Sequence, residues 1–438
     1  QRQLRRFLAG GGDQAHGYRV VHAIDHVDVA DAFIAAFTIP NALRRLFGEG
    51  ALTPAIVSLF TRALREPHDS DARPLPWQSF LSAAFVWLSI CLTLLAVIGM
   101  LLTPWIVSLY VPEFRNTEGK FELTVDLTRF LFPFIIFIGW SAFFMGILNT
   151  FRSFAVSAFV PAMLSICVIL IVPVSLKYLF PQTSHGIYFY AGALLVGALL
   201  QAALQLPDLK RFHALPFHRF QWADPRVKEL AKLLIPSFFS MAVYQINIII
   251  NRTFASAIPG AVSHLFYADL ILELPIALVA TSLGTAVIPS FSRLLADNKR
   301  EELAETFQFS LEAIWTLAIP CTLGLLVLAE PIISTLYFSG KFTLDDMHLT
   351  SKVLIFYALG LPFFATMRIF LALFFSAKNT FIPMIAGWIG LGVNFLSAWY
   401  LSERMQASGI ALAWGMPIHR ITQIAIYTLY AAGVNFLI

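Results

Sequence analysis

Long apolar runs separated by short polar segments recur from residue 31 to the end of the chain, and they constrain the fold more than any other feature. A helix needs about 20 mostly apolar residues to cross a bilayer. Runs of about this length cover residues 31–60, 79–110, 124–148, 155–176, 187–205, 230–251, 266–291, 306–329, 352–376, 381–401 and 408–431. They are too long for membrane-barrel strands, and a helix satisfies its own backbone hydrogen bonds in lipid. We therefore predict an all-α polytopic membrane protein with about 11 transmembrane helices.

The composition of the chain excludes an ordinary soluble domain. Of its 438 residues, 58% are hydrophobic and only 13% are charged, whereas soluble domains carry about 25% charged residues. The net charge of +4 is too small to indicate nucleic acid, so we expect no such partner. No phosphate-binding glycine loop, metal-ligand spacing or nucleophile–base arrangement stands out in the sequence. We expect a protein that is not an enzyme and that has no cofactor.

The basic residues between the apolar runs predict how the spans are oriented. If the segment after the first span is cytoplasmic, the cytoplasmic segments together hold 14 Lys and Arg residues, and the opposite set holds 6. Positive charge is concentrated on the cytoplasmic side of membrane proteins. The largest basic segment, residues 206–229, is therefore predicted to be a cytoplasmic linker between two halves of the chain.

The two halves repeat short motifs in the same order, which indicates an internal duplication. The matching motifs are Ala30-Asp31 with Ala268-Asp269, Lys120-Phe121 with Lys341-Phe342, and Asn149-Thr150-Phe151 with Asn379-Thr380-Phe381. We predict an N-terminal lobe at 31–205 and a C-terminal lobe at 230–438, forming two pseudo-repeated helical lobes around a central cavity. Residues 1–30 are too polar to cross a bilayer, although six spans per repeat require one more helix there. We expect a truncation or a reading-frame error upstream of Val29; the alternative is a genuinely shorter protein.

Residues 39–54 place charges inside the first apolar run. Arg44 or Arg45 would each cost about 2.5–3.5 kcal/mol at a bilayer centre on insertion scales, so each needs a wet or paired surrounding. Arg45 and Glu49 are four residues apart on one helix face and are placed to neutralise each other. Arg44 lies about 100° away around the helix, which makes it our candidate for a cargo-facing cation. The alternative is a helix end from which the arginines snorkel to the interface.

Other candidate charges are distributed over both halves. Asp31, at the outer end of the first span, is a candidate to pair with a base across the cavity. Asp269 and Glu273 are four residues apart on one helix face. Arg368 lies about mid-span, and a structural salt bridge or interface anchor explains it as well as a cargo contact does. Further basic residues lie in or near apolar runs, namely Arg129, His419 and Arg420.

We expect the inward-facing set of charges to be more cationic than anionic. A cavity of that sign attracts phosphate or pyrophosphate, and the planar guanidinium fork of arginine matches phosphate oxygens. A cavity that exports cationic drugs is expected to be lined by carboxylates instead. The charges therefore favour an anionic cargo.

Two stretches of the chain resemble one family specifically. Ala30-Asp31-Ala32-Phe33, followed by residues 40–51 (PNALRRLFGEGA), resembles the second-helix signature of the MurJ/MviN family. Phe266-Tyr267-Ala268-Asp269, followed by Glu273-Leu274-Pro275 and Leu283-Gly284-Thr285, is similar to that family's eighth helix. Members are lipid II flippases of peptidoglycan synthesis in the bacterial cytoplasmic (inner) membrane. They belong to the multidrug/oligosaccharidyl-lipid/polysaccharide exporter superfamily.

The resemblance implies a function, a set of partners and three sensitive positions. It implies alternating-access transport of a lipid-linked anionic glycan precursor, with membrane lipids as the surrounding partner; we expect a monomer. Asp31, Arg44 and Glu273 correspond to functionally sensitive cavity positions. The energy source, a coupling ion or the membrane potential, stays open.

This sequence departs from the family pattern in three places. The family usually has arginine where Leu270 stands, its first helix has no counterpart in residues 1–30, and its two extra C-terminal helices would begin where the chain stops at Ile438. One alternative is an ion-coupled exporter of the same superfamily, with Asp31, Asp269 or Glu273 carrying the ion. The other is a membrane protein that binds the precursor without moving it, which Leu270 favours.

Overall fold

A computed structural model of the chain describes residues 26–45, 52–65, 75–151, 153–174, 186–216, 224–377, 379, 381–405, 421–426 and 428. Within these residues every regular element is helical, which confirms the predicted all-α class. The chain forms two compact units, Gln1–Gln245 and Ile246–Ile438.

Two apolar clusters among the described residues join several helices of the first unit. The larger cluster joins the second, third and fifth helices through Phe60, Phe80 and Phe143. The other packs the first helix against the fourth and eighth through Ala32, Leu127 and Ala191, because small alanine side chains let the helices approach closely. The described helices are α1 (His26–Arg44), α2 (Leu52–Arg65), α3 (Pro76–Tyr110), α4 (Lys120–Leu131), α5 (Phe134–Thr150), α6 (Phe154–Phe159), α7 (Ala162–Val174), α8 (Gly186–Ala203), α9 (Leu206–Arg211) and the start of α10 (Pro225–Ala255).

The second unit has one main apolar cluster, which includes Phe291, Phe307 and Phe370. Its described elements are the end of α10, α11 (Ala261–Pro275), a π-helical segment (Ile276–Thr281), α12 (Ser282–Ala286), α13 (Ile288–Ala296), α14 (Arg300–Tyr337), α15 (Leu344–Leu359), α16 (Leu361–Ser376) and α17 (Phe381–Met405). Residues 421–426 are also helical.

The division between the units falls inside α10, after Gln245. The start of α10 packs on the first unit, where Leu230 joins the larger apolar cluster. Arg62 of α2 donates to both carboxylate oxygens of Glu229, at 2.9 and 3.2 Å. Since residues 217–223 lie outside the described part of the chain, the predicted linker at 206–229 and the lobe boundaries on either side of it stay predictions.

The described residues include helical stretches that are long and apolar enough to cross a membrane. Six pass this test outright, and α15 with α16, bent by 41° at their junction, make a seventh if they form one span. Each lies on a predicted apolar run, whereas most of the last run, 408–431, lies outside the described residues. The count of about 11 spans therefore stays a prediction. The six stretches are Trp77–Tyr110, Lys120–Thr150, Gly186–Arg211, Ala261–Leu295, Arg300–Tyr337 and Phe381–Tyr400.

The long helices present exposed apolar faces. On α3, Leu101, Trp105 and Leu109 are four residues apart and all are exposed, so they form one continuous stripe. An apolar surface of this extent is unfavourable in water and fits contact with lipid acyl chains.

Candidate transport site

Asp31 is held by a lysine from a neighbouring helix. Its side chain lies on α1 and is fully buried, and Lys120 at the start of α4 is only 3% exposed. The Lys120 Nζ donates to Asp31 Oδ2 at 3.0 Å and to Asp28 Oδ1 at 2.6 Å. Asp28 and Asp31 are three residues apart, on one face of α1. We expected Asp31 to pair with a base across a cavity; the structure instead pairs it with Lys120 of α4, a helix that packs directly on α1.

The turn before α4 delivers Lys120 to this position. Gly119 adopts a left-handed backbone (φ 77°) immediately before the helix, a conformation that glycine adopts without the strain imposed by a Cβ atom. Phe114, in the 3₁₀ turn Pro112–Asn116, is buried, and the Lys120 ammonium lies 4.2 Å from the centre of its ring. An aromatic face attracts a cation at this distance. The ammonium is thus surrounded by two carboxylates and a ring.

Arg44 lies at the opposite end of α1. It is half-buried, and its Nε donates to Asn41 Oδ1 at 2.8 Å. At 1.5 Å per residue, Asp31 and Arg44 are about 20 Å apart along the helix axis. The structure therefore places these two predicted site residues at separate levels of α1, and one phosphate group does not reach both.

The predicted partner of Arg45 lies outside the described residues. Arg45 itself is half-buried just after α1 ends. Glu49 belongs to the stretch 46–51, whose structure is not described. The pairing of Arg45 with Glu49 stays a prediction.

In the second unit, Asp269 and Glu273 lie on adjacent turns of α11. Both side chains are half-buried. The helix ends at Pro275, which has no backbone N–H to donate, and the chain continues as the π-helical segment Ile276–Thr281. This interruption directly follows the predicted acidic pair. Short π-helical turns inside helices are frequent at functional sites, which agrees with a functional role for this part of the chain.

Leu270 begins an apolar stripe beside these acids. Leu270, Leu274 and Leu278 are four residues apart and are 42%, 63% and 75% exposed. The stripe is one residue out of register with Asp269 and Glu273, so acidic and apolar side chains run side by side along the same helix. An arginine at position 270 would replace one exposed leucine with a cation.

Arg368 lies in the middle of α16, as the sequence predicts, and its side chain is exposed. Its backbone is closely packed: a Cβ atom at Gly284 of α12 would lie 3.1 Å from the Cβ of Arg368. Such a contact is tighter than ordinary packing allows. The glycine therefore lets α12 approach α16 at the level of Arg368.

A second buried polar contact joins α11 to α15. His264 Nε2 lies 3.1 Å from Asp346 Oδ1, and both residues are buried. Asp346 Oδ2 also accepts bonds from the Thr343 backbone N–H at 2.9 Å and from its hydroxyl at 2.6 Å. The Asp346 N–H in turn donates to Thr343 Oγ1 at 3.2 Å. These bonds form a capping box that fixes the start of α15.

Buried amides form a chain in the second unit. Asn394 of α17 donates to Asn251 Oδ1 at 2.8 Å, and Asn251 donates to Asn247 Oδ1 at 3.4 Å. The polarity predicted for this part of α10 thus joins it to α17. Within the described residues, no group of three or more His, Cys, Asp or Glu side chains is placed to hold a metal ion.

Sequence reasoning missed the two cross-helix pairs. Lys120 and Asp31 are 89 residues apart, and His264 and Asp346 are 82 residues apart. One signal for Lys120 was present, since Lys120-Phe121 is a motif that the second half repeats. It gave no indication of which carboxylate the lysine binds.

Comparison with known families decides the family. The family model described as "Lipid II flippase MurJ" matches residues 23–436 of this chain. The chain belongs to the MurJ family. The resemblance seen in α1 and α11 is thereby confirmed.

MurJ relatives match nearly the whole chain. A probable lipid II flippase MurJ of Bdellovibrio bacteriovorus is 33% identical over 416 residues, covering 93% of this chain and 77% of the relative. The lipid II flippase MurJ of Burkholderia cenocepacia is 30% identical over 402 residues, covering 91% and 76%.

Solved structures support the same fold. A lipid II flippase MurJ in an inward closed conformation matches with a TM-score of 0.78 and 27% identity, covering 93% of this chain and 81% of the other. An inward-facing multidrug resistance MATE family transporter matches with a TM-score of 0.74 over 96% of this chain and 98% of its own. Since its identity is 14%, this second likeness shows the fold alone. The chain is a multi-pass protein of the bacterial inner membrane.

Proposed function

We propose that this chain is a flippase that moves lipid II across the cytoplasmic membrane by alternating access. The observation that carries the proposal is the MurJ family match over residues 23–436. The relatives named as flippases support it, since this chain covers about three quarters of their length. The cargo is a lipid-linked peptidoglycan precursor with an anionic headgroup, and membrane lipids surround its acyl chains. The working unit is a monomer.

Arg44 is the residue that we propose for the headgroup. Its guanidinium lies at the end of α1 next to Asn41, half-buried, where it remains partly accessible. Arginine binds phosphate oxygens through paired, charge-assisted hydrogen bonds. The other proposed transport residues are Arg45, Asp31, Glu49, Glu273, Asp269 and Arg368.

The acidic residues have a different proposed role. They carry the same sign as the cargo phosphates and are therefore unsuited to bind them directly. We place Asp31 in a fixed contact with Lys120, and we assign Asp269 and Glu273 to the conformational change. A coupling ion and the membrane potential are the two candidate energy sources for that change, and transport assays with and without each gradient distinguish them.

The test is Arg44→Ala in vesicles that contain purified protein and lipid II labelled on its headgroup. A hydrogen bond to a charged group contributes about 1.5–3 kcal/mol, so the alanine variant is expected to lose about 10- to 100-fold in transport rate. Arg129→Ala is the matched control, because Arg129 is an exposed arginine of the same unit, and its Nε donates to the backbone carbonyl of Met100 at 3.4 Å. Equal rates for the two variants would contradict the role of Arg44.

The same vesicles separate the two alternative functions. An ion-coupled exporter predicts that Glu273→Gln abolishes dependence on the ion gradient while Arg44→Ala does not. A protein that binds the precursor without moving it predicts retention of labelled lipid II with no change of leaflet. Leu270→Arg supplies the cation that the family usually has there, and a gain of transport only in that variant would favour the binding protein for the natural sequence.

A further inference from the structure

We infer that Lys120 is a positioning residue for transport, which acts by holding Asp31 of α1 in one orientation. This inference rests on the proposed function, since it concerns how that function's proposed residue Asp31 is held. The sequence marked Lys120 only as a basic residue of an outer segment and as part of a repeated motif. The structure shows it buried, with its ammonium bonded to two carboxylates of α1.

The contact constrains α1 at two points. An ammonium group has three N–H donors, and Lys120 uses two of them on carboxylates one turn apart, Asp28 at 2.6 Å and Asp31 at 3.0 Å. A single bond lets a helix rotate about it, whereas two bonds on adjacent turns fix both its rotation and its level. The Phe114 ring, 4.2 Å from the ammonium, limits where the cation can move.

The lysine is itself held by a rigid backbone. Successive turns carry the chain from α3 to α4: the N–H of Phe114 bonds to the carbonyl of Val111, that of Thr117 to Phe114, and that of Lys120 to Thr117. The Thr124 hydroxyl then donates to the Lys120 carbonyl at 2.7 Å. The ammonium is therefore fixed from its backbone to its tip, as a positioning group requires.

Burial of this pair is better explained by orientation than by stability. Replacing a buried ion pair with well-packed apolar residues is often neutral or stabilising, while breaking it on one side is costly. Apolar packing between the alanines of α1 and the leucines of α4 already stabilises this pair of helices. What the charges add is a single allowed arrangement of Asp31.

The test compares transport of headgroup-labelled lipid II by full-length variants in vesicles. Lys120→Met keeps the side-chain length and removes the charge; since displacement of a functional group by about 1 Å can cost about 100-fold, we expect at least a tenfold loss of rate. Lys120→Arg keeps a cation and is expected to recover most of it. Arg129→Met, an exposed basic residue on the same helix, is the control and is expected to match the wild type.

A charge exchange separates positioning from folding. The double variant Lys120→Asp with Asp31→Lys restores a buried cation between two carboxylates, so we expect it to recover the melting temperature that Asp31→Lys alone loses. It removes the carboxylate from position 31, so we expect transport to stay lost. If Lys120→Met does not fold, this variant decides alone.

The outcomes discriminate between the inference and the function on which it rests. Transport at the wild-type rate by Lys120→Met, or by the exchanged pair, overturns the positioning role while the proposed function stands. Failure of the wild-type protein to move lipid II at all overturns the proposed function, and the positioning role with it. Loss in Lys120→Met, recovery in Lys120→Arg and a folded but inactive exchanged pair support the inference.

Discussion

In each unit a buried polar pair joins two helices, and the residues of the pair differ between the units. In the first, α1 is joined to α4 by Asp31 and Lys120; in the second, α11 is joined to α15 by His264 and Asp346. The repeated motifs match α1 with α11 and α4 with the start of α15, so the two contacts occupy related places in the duplication. Their polarity is reversed: the acid is on the first helix in one unit and on the second helix in the other.

In both units a buried polar pair thus joins the two matched helices, and these two pairs are made of different residues. Lys120 donates to two carboxylates one turn apart on α1, whereas His264 lies beside one carboxylate oxygen of Asp346. We expect the helix pair that carries Asp31 to be held more firmly than the pair that carries Asp269 and Glu273.

The largest expected effect is on the contact between Asp31 and Lys120. Asp31→Ala leaves the buried Lys120 with fewer partners, and breaking a buried pair from one side costs about 3–5 kcal/mol. The measurement is the free energy of unfolding in detergent micelles by denaturant titration. Arg62→Ala, which breaks an exposed pair with Glu229, is the control at about 1 kcal/mol or less. If both variants lose equal stability, the first contact is not the stronger one.

A smaller effect is expected in the second unit. Asp346→Ala removes the bond to His264 and the capping box of α15. We expect a loss of about 1–3 kcal/mol in the free energy of unfolding, since each of these hydrogen bonds contributes about 1 kcal/mol. Thr343→Ala removes the two bonds of the Thr343 hydroxyl, keeps the bond from its backbone N–H to Asp346, and is expected to lose about 1 kcal/mol. A loss in Asp346→Ala no greater than that in Thr343→Ala would show that the histidine bond contributes nothing.

The all-α class and the family were predictable from the sequence for identifiable reasons. Apolar runs of about 20 residues have one stable solution in a bilayer, so the spans could be located without knowing their neighbours. The segment around Arg44 is a continuous motif, so its resemblance was visible in the chain itself. Arg368 was correctly placed in the middle of an apolar run for the same reason.

The contacts that organise the candidate site could not be predicted in this way. Lys120 reaches Asp31 only because the turn at Gly119 and the packing of α4 on α1 bring distant residues together. The pairing of His264 with Asp346 depends likewise on where α15 begins. Hydropathy and motif spacing predict neither contact, because they describe positions along the chain and not the arrangement of helices in space.

The most direct measurement is the movement of headgroup-labelled lipid II by the wild-type protein in sealed vesicles. A membrane-impermeant quencher added outside reports how much label has changed leaflet. The account predicts that the fraction of label exposed to the quencher changes with time in vesicles that contain this chain, because lipid II moves between the leaflets. With Arg44→Ala, we expect this change to be about 10- to 100-fold slower. Label that stays in its original leaflet at the rate of protein-free vesicles would contradict it.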